Sequence, residues 1–554
     1  MDAFERGLGA VAAIAFLSTL YQVEGLFGPE GLEPAAVVMR AVERNVGGEE
    51  GWGWFLKFPT LLWFAEPLGL PVDVAMEMLC AIGVVLGIVA VAFPSGPLFT
   101  ALWILYLSVY RVGGTFLSFQ WDILLLEALV LAALCASWGV SGRLHAGGIA
   151  VRFLLFKLML MSGLTKLQAG CPTWENLSAL RYHFATQCLP TPLAWWFHQL
   201  PPVFLEAGTA FSLLVEGPVA FFLLFPGAIG NVGAWLSNVL MVLIMLSGNY
   251  TFFNILTILL TFPTTTTLLP ASFRSFSNSF VAYAIAFLAL AVATARMFSL
   301  SIPTTDSLSS IYTTARLSLR PTTTAFPPHI LHLTLLPTIL LTLLFTLSTI
   351  LSQAYSLCKT GEDGGEEWGV REVKEKRGGL FGLVMGVGVG VRGVVLLGVM
   401  VLSAAWFRTV DPQLASELQQ VPLLHSVEQV TQPFAITASY GLFRRMTGVG
   451  KSSGALDEAG REEVVVARPE VVIEVTHTEE GNKHWFPINF PHKPTNISNP
   501  PTWIAPLQPR LDWQMWFAAL SNYQHNQWLI RFMDQILEGA PQPFSLLSPT
   551  TYPI

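Results

Sequence analysis

Five ionisable side chains stand inside apolar stretches of this chain: Asp122, Glu127, Lys157, Lys166 and Glu216. A charge in such a setting is costly and faces either a partner or a water-filled cavity. If the stretches near residues 129 and 158 are antiparallel neighbours, depth matching pairs Asp122 with Lys166 near one boundary. It also leaves Glu127 and Lys157 within roughly one helical turn of each other. Lys157 and Lys166 are nine residues apart, which at about 100° per residue places them on opposite helix faces, so they do not form one two-lysine site. Two roles are open for these charges: holding helices in register, or handling a proton or substrate.

A polar island from Cys171 to Pro202 holds the other candidates. Its secretory-side location permits a Cys171–Cys188 disulfide, worth about 3 kcal/mol in the chain-entropy picture, and two free thiols are the alternative. Tyr182, His183, His198, Trp195 and Trp196 resemble a site at first, but Trp and Tyr also collect at membrane interfaces. No Ser-His-Asp ordering, G-x-S-x-G elbow, HExxH or phosphate loop occurs in a suitable context. The glycine-rich run Gly386 to Gly393 lies in an apolar stretch, where glycines permit close helix approach. The five cysteines form no CxxC and no zinc-type spacing, so neither metal nor cofactor is expected.

The elements that must position these residues are membrane spans. The chain has 554 residues, of which 53% are hydrophobic and 12% charged, and a mean hydropathy of +0.55. Soluble domains carry about 25% charged residues. The net charge of -7 and the lack of a basic stripe exclude a nucleic-acid surface. Windows of about 20 apolar residues centre near residues 17, 84, 105, 129, 158, 214, 237, 259, 289, 342 and 393. Those near 105, 237 and 259 are short or crowded. The first run, Leu8 to Tyr21, lacks a small-residue cleavage site and reads as a span.

Arg6, Arg143, Arg152, Arg274 and the Lys359–Arg377 cluster fall on one side if about eleven spans alternate, which makes that side cytosolic. Arg296, Arg316 and Arg320 run against the pattern. Residues after 407 then lie opposite, as do the sequons at Asn176 and Asn496. Within that aqueous part, Glu470–Val475 and His484–Phe490 read as strands. Leu511–Leu520 and Trp528–Leu537 have helical spacing, and 448–463 reads as a mobile insert.

The quoted residues carry a resemblance. SFQWDILLLEA (Ser118–Ala128), with Trp121, Asp122 and Glu127, is similar to a segment of the lipase maturation factor family. So are Ser162–Trp196, with Trp174, Tyr182, His183 and Gln187, and GNYTFFNILT (Gly248–Thr257). The later segments SYGLFRRMT (Ser439–Thr447), RPEVVIE (Arg468–Glu474) and APLQPRLDWQMWFAAL (Ala505–Leu520) add Arg510, Asp512, Trp513, Trp516 and Phe517. Phe184-Ala185-Thr186-Gln187 stands where the family usually has Tyr-Glu-Thr-Gln, and Cys188 where Pro or Met is usual.

The resemblance covers residues 1–260 and the C-terminal part. Residues 261–407, with a charged cytosolic loop at 358–378, diverge. It implies a non-enzymatic helper of the endoplasmic reticulum membrane that assists folding and dimer assembly of secreted lipases, alongside other folding factors there. Arg510, Asp512, Trp513, Trp516 and Phe517 either meet the client or form a buried helical stripe.

The expected architecture is a polytopic all-α membrane domain (1–407, about 9–11 transmembrane helices) with a cytosolic N-terminus. A C-terminal luminal α+β domain containing a β-sheet follows at 408–554. The rival readings are a membrane-embedded enzyme, by fold-level analogy with the vitamin K-dependent carboxylase, and a transporter. The first requires Glu127, Lys157 or Glu216 to line a substrate cavity. The second is weakened by the absence of paired halves with broken helices.

Overall fold

A computed structural model describes residues 1–46, 48, 51–139, 142–263, 275, 277–301, 316–319, 328–360, 380–447, 449–456, 462–466, 468–479, 482–495 and 498–548. Asn496 and residues 361–378 of the expected charged loop lie outside the described residues. The apolar runs become helices because lipid leaves the backbone no other partner for its N–H and C=O groups.

The helices that matter for the site are α1 (Asp2–Leu20), α2 (Val72–Ala92), α3 (Gly96–Val112), α4 (Gln120–Cys135), α5 (Gly147–Gln168) and the short α6 (Ala179–Thr186). They continue as α7 (Pro202–Glu216), α8 (Gly227–Ser247), α9 (Phe253–Leu259), α10 (Phe280–Met297), α11 (Pro328–Thr360) and α12 (Leu380–Ala405). Among the described residues, eight helices are long and apolar enough to cross a membrane, while α3, α4 and α9 fall short of that length.

Contacts sort the helix ends into two layers. At one end, Arg143 reaches Asp2 at 3.0 Å and Glu5 at 2.7 Å. There Gln353 on α11 and Arg392 on α12 donate to the carbonyls of Arg143 and Gly142. At the other end gather the close of α1, the start of α4 and the residues after α8, all against the C-terminal part. The window near residue 259 yields a helix of only seven residues. Even so, Tyr250–Pro263 joins the two ends. Leu259 packs on Gly7, where an added Cβ would lie 2.4 Å from Leu259 Cδ2, and the Pro263 carbonyl accepts from Arg152 at 2.7 Å.

Of the helices described after α12, α13 (Arg510–Ala518) and α14 (Gln527–Glu538) matter for the site. The strands form three antiparallel pairs: β1 (Phe298–Ser301) with β2 (Arg316–Leu319), β3 (Val449–Leu456) with β4 (Glu462–Val466), and β5 (Glu474–Glu479) with β6 (Asn482–Pro487). Two expectations need correction. The strand expected at 470–475 begins only at Glu474, with Val471 and Ile473 packed on the core before it, and a single bond, Ile488 N to Ile473 O at 2.8 Å, continues the ladder there. The strand expected at 484–490 runs at Asn482–Pro487, the register that pairs it with Glu474–Glu479. Within the insert expected at 448–463, β3 pairs with β4, for which the β-branched run at Val464–Val466 supplies a partner strand.

Candidate functional site

Where the C-terminal part meets the helices, the recurring element is a buried cation. Arg510, the first residue of α13, points into the bundle and is 0% exposed. Its guanidinium donates to Asp122 Oδ1 at 3.1 Å, Asp122 Oδ2 at 3.2 Å, the Phe116 carbonyl at 2.6 Å and Thr19 Oγ1 at 3.3 Å. Tyr106 on α3 donates to the same carboxylate at 2.5 Å. Buried charges are tolerated when paired and hydrogen-bonded in this way.

Around this clamp the backbone is sewn to the membrane helices. Gln508 N donates to Ser18 Oγ at 2.9 Å, Arg510 N to Gln22 Oε1 at 2.8 Å, and Trp121 Nε1 to Gln508 Oε1 at 2.8 Å. On the far side, Asn249 accepts from Ile504 N at 2.9 Å and donates to Thr502 O at 2.8 Å. Arg468 donates to the Gln187 carbonyl at 2.7 Å.

The expected pairing of Asp122 with Lys166 is therefore corrected. Lys166 binds Glu216 at 2.5 Å and Asp122 binds Arg510. The reason is rotational: Lys166 stands on the face of α5 opposite Lys157, so it turns toward α7 while Lys157 turns toward α4. Gly163 lets α5 and α7 approach closely, since an added Cβ there would lie 2.4 Å from the Glu216 carbonyl oxygen. Lys157 Nζ meets Glu127 Oε1 at 2.6 Å. Glu127 also accepts from Ser403 on α12 at 2.8 Å and from Tyr440 at 2.7 Å, and Lys157 donates to the Ala438 carbonyl. Asp122, Glu127 and Lys157 thus each have both an opposite charge and further hydrogen bonds.

Beneath the joint lies a cavity of about 770 Å³. All of the similar segments except Arg468–Glu474 contribute to its wall: Trp121 on α4, Ser162 on α5, His183 and Gln187 in the polar island, Asn254 on α9, Phe443, and Trp513, Trp516 and Phe517 on α13. Glu216 also lines it, already held by Lys166. Glu127 and Lys157 are not among its lining residues, so two of the three groups named for a membrane enzyme stand elsewhere.

Tyr250 Oη lies 3.2 Å from His183 Nε2 and donates to Gln187 Oε1 at 3.1 Å, while Gln187 Nε2 donates to the Ser247 carbonyl at 2.8 Å. Burial, with the Lys166 charge adding to it, lowers the His183 pKa to about 4, so the ring is neutral at ordinary pH.

The thiols do not bridge. Cys171 and Cys188 are both free and buried. Cys171 Sγ lies 3.2 Å from Thr173 Oγ1, whereas Cys188 faces the Trp513 carbonyl under α13, so the two point to different neighbours. Trp174 is buried and donates to the Phe443 carbonyl at 3.0 Å, and Tyr182 is half-buried outside the cavity wall. Asn176 Oδ1 accepts from Ser178, the last residue of its own sequon, at 2.9 Å from the backbone N–H.

Arg510, Asp512 and Trp513 are not a free client-facing surface, because all three are buried in the joint. Asp512 accepts from the backbone N–H groups of His492 and Lys493 at 2.8 and 2.7 Å. Burial nonetheless raises its pKa to about 6. Trp513 stacks edge-on against Trp121, 4.9 Å between centroids. Phe517 is half-exposed, and Trp195 and Trp196 are exposed.

Sequence reasoning missed Asn249, Tyr106, Gln508 and Tyr440. Asn249 carries an N-Y-T triplet, but its side chain is buried as a latch. The signal for it was a polar residue at the close of an apolar run; Tyr106 offered none.

Residues 1–269 match the family profile described as the lipase maturation factor transmembrane domain. Residues 436–554 match the lipase maturation factor C-terminal domain. Lipase maturation factor 2 of Gallus gallus is 34% identical over 99% of this chain and 74% of its own length. The Homo sapiens protein of that name is 34% identical over 97% and 74%. Lipase maturation factor 1 of Bos taurus is 26% identical over 98% and 79%. No solved structure matches the chain.

Proposed function

Because the chain belongs to the lipase maturation factor family, we propose that it is an endoplasmic reticulum membrane protein whose C-terminal domain, on the luminal side, assists the folding and dimer assembly of secreted lipases. The observation that carries this reading is the joint itself. Segments separated by 388 residues, at Asp122 and Arg510, are clamped through buried charge. Such a clamp fixes an aqueous domain rigidly above a membrane anchor, which suits a helper that must hold a secretory client near the bilayer.

Client contact then falls to the outward apolar side chains of that domain. Trp485, Trp503 and Leu537 are exposed, at 58%, 55% and 81%. Each offers apolar surface of the kind that an incompletely assembled lipase presents in return. Luminal glycans at Asn176 and Asn496 and a cytosolic N-terminus belong to the same reading.

The test is secreted lipase activity per unit of lipase mass in cells lacking this gene, complemented with the full chain, with a truncation near residue 430, or with Trp485→Ser/Trp503→Ser. Restoration by the full chain, with loss in the other two at equal membrane abundance, is the expected result. Normal specific activity without the gene would end the proposal.

A further inference from the structure

We infer that the cavity under the C-terminal domain binds an uncharged acyl lipid whose headgroup carries both hydroxyl and ester carbonyl groups, an acylglycerol in chemical class. The volume of about 770 Å³ falls in the range of small-molecule sites, which are mostly apolar with a few convergent polar groups. Three buried residues of the wall supply those groups. Ser162 Oγ, Asn254 Nδ2 and Oδ1, and Trp513 Nε1 have no hydrogen-bond partner. Buried polar atoms left unpaired cost about 1–3 kcal/mol each, and native proteins pair nearly all of them. Four such atoms on residues of one cavity wall match a ligand that both donates and accepts.

The arrangement of polarity fits an amphiphile lying as a membrane lipid lies. Trp513 belongs to α13 at the aqueous end, Asn254 follows Tyr250 by one turn, and Ser162 sits six residues before the end of α5. Leu158 and Met159 line the wall about one turn deeper, with Met241 and Ile244 from α8. The headgroup meets Trp513, Asn254 and Ser162, and the acyl chain runs down past Leu158 and Met241.

Charge decides against an ionic headgroup inside. Among the described lining residues, Glu216 is the one buried formal charge, and Lys166 neutralises it. The lining guanidiniums Arg444 and Arg445 are exposed at the mouth, and Arg445 is engaged by the Ala169 carbonyl. This inference does not depend on the lipase role, because its readout is lipid binding alone.

The experiment reconstitutes the full chain in phosphatidylcholine vesicles with a diacylglycerol that carries a photoreactive group on its acyl chain, and maps the crosslinked peptides by mass spectrometry. Saturable labelling of peptides containing Leu158–Ser162 and Met241–Thr257 is expected. Unlabelled diacylglycerol should compete, and phosphatidic acid should not. Met241→Trp fills the acyl region and Asn254→Leu removes the paired donor and acceptor; each should lower labelling about tenfold. Tryptophan-fluorescence melting reports whether either variant keeps its fold, and the wild-type map decides the matter if neither does. Labelling confined to other helices, or no saturable labelling, would mean that the cavity holds only water. Displacement by phosphatidic acid that is abolished in Arg444→Glu would assign a charged phospholipid. Each of these results overturns the inference.

Discussion

The Arg510–Asp122 clamp makes a quantitative demand on mutants. In Arg510→Met the Asp122 carboxylate, 0% exposed, loses the one cation that pairs with it among the described residues and keeps the Tyr106 hydroxyl. Removing one partner of a buried pair costs about 3–5 kcal/mol, because the other charge is stranded. Docking of the C-terminal domain should weaken by roughly two to four orders of magnitude. The double variant Arg510→Met/Asp122→Leu strands no charge. What it leaves behind is the Tyr106 hydroxyl and the Phe116 carbonyl without partners, about 1–3 kcal/mol each. The carbonyl is stranded in Arg510→Met as well, so the double exchanges a stranded charge of about 3–5 kcal/mol for one hydroxyl and should be more stable than Arg510→Met by about 2 kcal/mol. Trp513 lies 4.9 Å from Trp121, so tryptophan emission in graded denaturant reports undocking directly. If the double variant is no better than the worse of the two singles, stranded charge is not what holds the joint.

Glu127→Leu should destabilise the bundle by about 3–5 kcal/mol and Glu127→Leu/Lys157→Met by distinctly less; equal melting of the two in detergent would show that the pair contributes no coupling. Alkylation of the denatured, unreduced protein should label both Cys171 and Cys188, and recovery of a disulfide-linked peptide would contradict the separate thiol environments. His183, with its pKa lowered to about 4, confers stability that is full above its unfolded value near 6.5 and is lost as pH falls toward 4. Asp512, raised to about 6, acts with the opposite sign: its contribution is full below its unfolded value of 3.8 and is lost as pH rises through 6. Denaturation midpoints between pH 6.5 and 4 should thus fall less steeply in His183→Gln than in wild type, and more steeply in Asp512→Asn. The reverse order would refute the assignment of either group.

How much of this was readable from residues alone depends on sequence distance. The Glu127–Lys157 contact was legible because the spans bearing them are consecutive, so depth and helical phase suffice. The same depth argument misassigned Lys166, for it ignored phase: nine residues after Lys157, that side chain turns to α7. Asp122 found its cation 388 residues away, and no periodicity connects an aspartate on α4 with an arginine opening α13. The aromatic spacing Trp513, Trp516, Phe517 gave the helix correctly. Which of its faces is buried depends on Phe119 and Trp121, against which Trp513 packs, and these lie on another element. The cavity was invisible for the same reason, since its wall needs Ser162, Asn254 and Trp513 together. The strand boundary at Glu474 depends on the register with Asn482–Pro487, which the composition of Glu470–Val475 alone does not fix.

The clamp also sets a schedule for biosynthesis. Asp122 enters the membrane with α4, but Arg510 is made 388 residues later. At about 5–20 residues per second, the carboxylate waits on the order of 20–80 s for its cation. During that interval the mouth of the cavity and the start of α4 are uncovered, and still later residues join the N-terminal region after them, as Arg531 does at the Gly31 carbonyl. A ribosome that stops anywhere before Arg510 releases a bundle with an acid it cannot neutralise from within α4. A single buried carboxylate near the start of the chain is thus matched only once synthesis has passed Arg510.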